Sequence, residues 1–122
     1  MIYQKPLEEA DALAAVSAGE FPESIRASRE HVAIVLIQDW CPQWTDLKMW
    51  LDNESASSSS DIEIDVHWLE YNRVSYGNEF MRFKESVLRN SLIPYVRYYK
   101  NGGLVGESNY VSGNRFLEFF SK

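Results

Sequence analysis

The chain has 122 residues, 45% of them apolar and 14% aromatic, which is enough to bury a core without staples and excludes a disordered chain. Its net charge is −6, with acids and bases interspersed. That excludes nucleic-acid binding through a basic face and leaves a soluble surface charge.

A chain of this size predicts one domain spanning residues 1–122. The segment from Met1 to Pro6 lacks the apolar stretch of a secretory leader. The longest strongly apolar run, Val32 to Ile37, is far too short to cross a bilayer. Cys41 is the only cysteine, so no disulfide framework can form, which suits a reducing compartment. A cytoplasmic protein with no membrane partner is expected.

Residues 7–19 read as a helix, with Leu7, Ala10, Leu13 or Ala14 and Ser17 at helical spacing and Gly19 as its stop. Residues 20–30 are ambiguous and can hold a short helix around Ile25. Residues 31–38 form a continuous apolar, β-branched run, the pattern of a strand buried on both faces. A helix over 42–53 follows, because proline suits a first helical position; its inward stripe is Trp44, Leu47 and Leu51. Residues 55–60, five serines and Ala56, read as a flexible linker.

In the next segment Ile62, Ile64, Val66 and Trp68 alternate with Glu63, Asp65, His67 and Leu69, the period of a strand. Asp61, Glu63 and Asp65 then share one face, expected to be solvated. Residues 78–90 predict a helix with Phe80, Phe83 and Val87 facing inward. Strands over 95–100 and 104–110 flank Asn101-Gly102-Gly103, a hairpin signal. A last helix over 115–121 presents Phe116, Phe119 and Phe120. The order gives an α/β fold, a βαβ unit followed by a ββα unit, with a mixed sheet and helices on both faces.

The chemistry-bearing segment is Trp40-Cys41-Pro42-Gln43-Trp44. It has the outline of a C-x-x-C dithiol motif with tryptophan at the second cysteine. In such a motif the second thiol attacks the mixed disulfide formed by the first. With one cysteine that intramolecular step cannot occur. Cys41 lies where a buried strand meets a helix, where free N–H groups and the helix dipole favour a thiolate. A buried, inert cysteine is the alternative, but the strand-to-helix corner and the adjacent proline favour an exposed, reactive site. Trp44, three residues on, projects from the same side of the first turn. Its indole is expected to pack beneath the site and to restrict which thiols approach. Proline at Ile93-Pro94 suits the start of a strand; a cis bond there would leave the Ile93 backbone free to pair with an extended peptide.

The buried strand running into Asp39-Trp40-Cys41 is followed by Ile93-Pro94, Tyr99-Lys100-Asn101-Gly102, Leu104-Val105-Gly106-Glu107 and Val111-Ser112-Gly113. In this order, covering residues 7–122, they resemble the thioredoxin family. The resemblance implies a thioredoxin-like fold, Cys41 in the nucleophile position and Pro94 as the cis-proline facing it. Trp40, Pro42, Trp44, Ile93, Pro94 and Gly113 would then bind substrate, Gly113 lining the groove.

The sequence departs from the family at three positions. Trp44 replaces the resolving cysteine, Val35 stands where a buried acid assists proton transfer, and Met49 stands where a kinking proline is usual. Pro42 directly after the cysteine is closer to glutaredoxins, and the helix before Pro94 reads as longer than usual.

Two functional classes follow. One is monothiol thiol–disulfide exchange through Cys41 (cell redox homeostasis), acting on a protein or peptide thiol or disulfide partner. It needs no resident cofactor, and an external thiol such as glutathione would resolve the adduct. The other is a non-catalytic module that binds an extended peptide in the same groove. A [2Fe-2S] carrier is the weaker reading, because family members of that kind share a different motif after the cysteine. His31 and His67 are far apart, and no residues have metal-ligand spacing.

Overall fold

The computed structural model describes residues 1–57, 62–110 and 112–121. Ser58 to Ser60 of the serine run, Asp61 and Val111 lie outside these described residues. The chain order is β1 (Ile2–Pro6), α1 (Glu9–Ala18), α2 (Glu23–Arg26), β2 (His31–Ile37), α3 (Pro42–Ser57), β3 (Ile64–Glu70), α4 (Gly77–Ser86), β4 (Tyr95–Lys100), β5 (Gly103–Ser108) and α5 (Gly113–Glu118). Short 3-10 turns follow β3 and α5.

The five strands form one sheet in the order β1-β3-β2-β4-β5. Strands β1, β3 and β2 are parallel, whereas β4 runs antiparallel to β2 and β5 antiparallel to β4. Every residue of β2 is buried, which explains its unbroken apolar sequence: a central strand covered on both faces has no solvent side. Its side chains alternate between two cores. Ala33, Val35 and Ile37 join Trp44, Leu47 and Leu51 of α3 and Phe116 of α5 on one face. Val32, Ile34 and Leu36 join Ala12 and Ala15 of α1 and Phe80 and Phe83 of α4 on the other.

Four sequence expectations are corrected. The first is strand β1, which the sequence reading lacked. It is a five-residue edge strand containing Lys5 and Pro6 and it pairs in parallel with β3; proline and lysine are common on sheet edges.

The second concerns the serine run. Helix α3 continues through Ser57, so Ser55, expected in a flexible linker, is helical and bonds back to the Leu51 carbonyl.

The third is α4, which ends at Ser86, not near residue 90. Val87 caps the helix and is exposed, and Lys84, four residues after Phe80, takes the inward position. The extra length before Pro94 is therefore loop, not helix.

The fourth is the face expected to be solvated on β3: Asp65 and His67 are both buried there. The Ser28 hydroxyl donates to Asp65 (2.8 Å) and lies 3.1 Å from His67 Nε2, and Arg29 Nε donates to Asp65 (2.8 Å). Two buried polar groups are thereby satisfied from the segment that precedes β2.

The hairpin lies where the sequence placed it, but its turn is Asn101-Gly102 alone: Gly103 already belongs to β5, which ends at Ser108 and not at residue 110. Asn101 and Gly102 both take positive φ, 51° and 83°, as a two-residue turn between right-twisted strands requires.

Candidate functional site around Cys41

The site lies at the carboxyl end of β2, where an α/β sheet leaves its crevices. The Cys41 N–H donates to the Gln38 carbonyl, and the Cys41 carbonyl accepts from the N–H groups of Trp44 and Thr45. Cys41 is thus the N-cap of α3, and Pro42, which has no N–H to satisfy, opens the helix.

The approach to Cys41 is pinned from the β3 side. The Asp39 carboxylate accepts from Asn72 Nδ2 (2.6 Å) and from Arg73 (2.7 Å), while the Asp39 N–H donates to Asn72 Oδ1 (3.0 Å). These bonds, Asn72 first and Arg73 second, hold the Asp39 carboxyl below its ordinary pKa. Trp40 Nε1 donates to the Gln38 side chain (2.5 Å), and the Gln38 amide donates to the Tyr71 hydroxyl (3.2 Å). Beside this clasp an open cleft of about 300 Å³ runs between Gln38, Tyr71, Asn72 and the first turn of α4.

The side chains expected to bind substrate do not form one open surface. Trp40 is 65% exposed, and Pro42 is also exposed. Trp44 is 3% exposed. Its ring packs 6.3 Å from that of Trp68, and its Nε1 donates to Glu70 (3.0 Å). An indole with its N–H satisfied inside the core has nothing left to offer a ligand, so Trp44 is a packing residue. Gly113 begins α5 against Trp50, where a Cβ would overlap the indole. Trp50 is nine residues beyond Cys41, roughly 13 Å along the helix axis. Gly113 therefore packs against this helix and does not line an open groove beside the cysteine.

Cys41 itself is 4% exposed. This corrects the expectation of an exposed thiol. The side chain turns into the core that holds Val35, Trp44 and Leu47, against which Ile93 also packs.

The Ile93–Pro94 peptide bond is cis; Ile93 is half-buried and Pro94 buried. The loop that carries them is held by residues that motif reading passed over. Lys84 Nζ donates to the carbonyls of Asn90 (2.9 Å) and Leu92 (2.7 Å). Asn109, just past β5, donates to the Pro94 carbonyl (3.0 Å), and its side-chain amide pairs with that of Asn90. The one sequence signal for Lys84 was its helical spacing after Phe80; Asn109 carried none. Among the described residues no group of three or more His, Cys, Asp or Glu could hold a metal ion, and no helix is long and apolar enough to cross a membrane.

The fold recurs in solved structures. Thioredoxin O1 from Arabidopsis thaliana, in the oxidized state, superposes with a TM-score of 0.62 at 11% identity, over 98% of this chain and 95% of that one. Thioredoxin O2 from the same plant gives 0.59 at 15% identity, over 98% and 91%. Trxlp from Edwardsiella tarda EIB202 gives 0.58 at 18% identity, over 96% of each chain. No model of a known protein family matches the chain, and no curated protein sequence does. The chain is a protein of the thioredoxin fold. Within that fold its cysteine stands alone, at the N-cap of α3.

Proposed function

We propose that this protein carries out monothiol thiol–disulfide exchange through Cys41. The observation that carries the reading is the placement of the sole cysteine. It caps α3, at the carboxyl end of β2, and Ile93 of the cis Ile93–Pro94 loop packs against the core that holds its side chain. In the proposed cycle the Cys41 thiolate attacks the glutathione sulfur of a glutathionylated protein. A Cys41–glutathione disulfide forms, and the partner protein leaves as a thiolate that takes a proton. A second glutathione thiolate then attacks that disulfide, releasing oxidised glutathione and regenerating Cys41. Across the cycle one glutathione thiol enters, one oxidised glutathione and one free protein thiol leave, and no second cysteine is needed. Pro42, Ile93 and Pro94 would border the attacked sulfur, and Trp40 would rest against the partner.

Intact-mass measurement after exposure to oxidised glutathione tests the reading. One glutathione adduct on Cys41, removed by reduced glutathione, is expected. No adduct on native protein, with a full adduct after denaturation, overturns it.

Burial of the thiol beside an exposed Trp40 favours a second reading, a non-catalytic module that binds an extended peptide against Trp40 and the Ile93 backbone. Cys41→Ser separates the two: it abolishes exchange in the first and leaves partner binding intact in the second.

A further inference from the structure

Lys84 is 0% exposed, and among the described residues no carboxylate forms an ion pair with it. Its ammonium lies 6.0 Å from the Tyr71 ring and 5.6 Å from the Tyr95 ring, with two loop carbonyls as hydrogen-bond acceptors. A buried cation satisfied only by backbone carbonyls and ring faces is a costly arrangement. Both carbonyls belong to the segment 87–94, between α4 and β4. The segment carries Arg89 at φ 58° and an exposed Leu92, and Ile93 is its residue that packs against the core holding Cys41.

We propose that the 87–94 loop is a lid over the core that holds Cys41 and that Lys84 is its latch, so that protonation of Lys84 governs how often the lid opens. The regulatory role rests on the redox reading above; the latch itself does not.

With the lid closed, Ile93 shields the core that holds the thiol. Opening breaks the Nζ bonds to Asn90 and Leu92 and returns the ammonium to water. The charged and titratable groups facing Nζ are the Tyr71 phenol from the turn after β3, the Tyr95 phenol from β4 and the Glu85 carboxylate from α4. Burial lowers the closed-state pKa to about 8, opposed by Glu85. In the open state the hydrated amine returns towards its ordinary 10.5. The open state therefore binds the proton more tightly. Opening is favoured below pH 8, and it is suppressed as pH rises from about 8 towards 10.5, by at most about tenfold per pH unit.

Asn109 ties the lid from its other side, through Pro94 and Asn90. This second tie involves no titrating group, so it separates anchoring from proton linkage.

Hydrogen exchange of the amides of residues 88–92, referenced to those of β2, tests the latch on the full chain. In the native protein the lid's opening constant, corrected for intrinsic exchange, should fall several-fold between pH 7.5 and 9.5 while β2 stays flat. Lys84→Met leaves two carbonyls unpaired, so opening at pH 7.5 should rise about tenfold and the pH dependence should vanish. Asn109→Ala should raise opening by a smaller factor and keep the pH dependence. A Lys84→Met lid that opens no more than β2, or a native lid whose opening ignores pH, overturns the proposal. If Lys84→Met instead fails to fold, the native and Asn109→Ala profiles still decide it.

Alkylation of Cys41 by iodoacetamide at pH 7.5 should accelerate in Lys84→Met in step with lid opening; an unchanged rate overturns the lid. If both rise but no glutathione adduct forms, the latch stands and the redox reading fails. If adducts form with lid opening unchanged, the latch fails alone.

Discussion

Trp44 shows how much of this site one side chain decides. It stands at the spacing where a C-x-x-C motif would have its second cysteine, yet its ring lies in the core against Trp68 and its N–H ends on Glu70. Trp44→Cys should therefore not yield a working dithiol. It should remove a buried indole and cost about 3–5 kcal/mol by the usual penalty for large-to-small aromatic changes. Trp44→Phe keeps most of the ring volume and loses the bond to Glu70, at about 1 kcal/mol. Urea unfolding followed by circular dichroism measures both; a Trp44→Cys midpoint equal to the parent's would show that the indole is not packed as described. Gly113 makes the complementary case. A methyl there meets the Trp50 ring, so Gly113→Ala should destabilise the protein by about 1–3 kcal/mol through overpacking. It should leave Cys41 alkylation unchanged, because the clash lies down the helix from the thiol. Alkylation that slows in Gly113→Ala would return this glycine to the groove.

At the scale of elements, α4 makes a sharp comparison. The sequence pattern offered Phe80, Phe83 and Val87 as one inward stripe, but the helix stops at Ser86 and only the two phenylalanines enter the core. Phe80→Ala should cost about 3–5 kcal/mol, whereas Val87→Ala should stay within about 0.5 kcal/mol. Similar losses in thermal unfolding would mean that the helix continues past Ser86. The same element shows what was legible. An unbroken apolar run placed β2, the Asn101-Gly102-Gly103 signal placed β4, and apolar spacing placed α3 and the final helix, each of which buries a face against the sheet. The stop of α4 was not legible, since the loop after it is fixed by Lys84 and Asn109, contacts that reach across the chain. β1 stayed hidden because its signal is one buried residue, Ile2, and pairing with a strand some sixty positions away. At the site, the cysteine and Pro94 were visible as motif positions. The burial of the thiol was not, because it depends on where Ile93 and α3 come together.

At the scale of the whole molecule, buried titrating groups set how stability depends on pH. His67, on β3, has its pKa lowered by burial and by Lys5, against the opposing pull of Asp65 and Asp11. Below 6.5 the unfolded chain binds a proton that the folded chain refuses, so stability must fall as pH drops from 6.5. Asp65 acts in a later window. Its burial would raise the carboxyl, but bonds from Arg29 and Ser28 outweigh that and lower it below 3.8, so its contribution is present above 3.8 and lost as pH falls further. On the alkaline side Lys84 works in the same sense. Its lowered pKa makes the fold more stable as pH rises from about 8 to 10.5, until the phenols of Tyr98 and Tyr99, raised by burial, reverse the trend above 10. Stability should therefore peak on the alkaline side of neutrality, with each group contributing a slope of at most about 1.4 kcal/mol per pH unit. Urea midpoints measured from pH 3 to 10 test this. His67→Gln should flatten the segment just below pH 6.5, and Lys84→Met the rise above 8. A parent curve that is level from pH 5 to 9 would mean that neither group is as buried as its surroundings indicate.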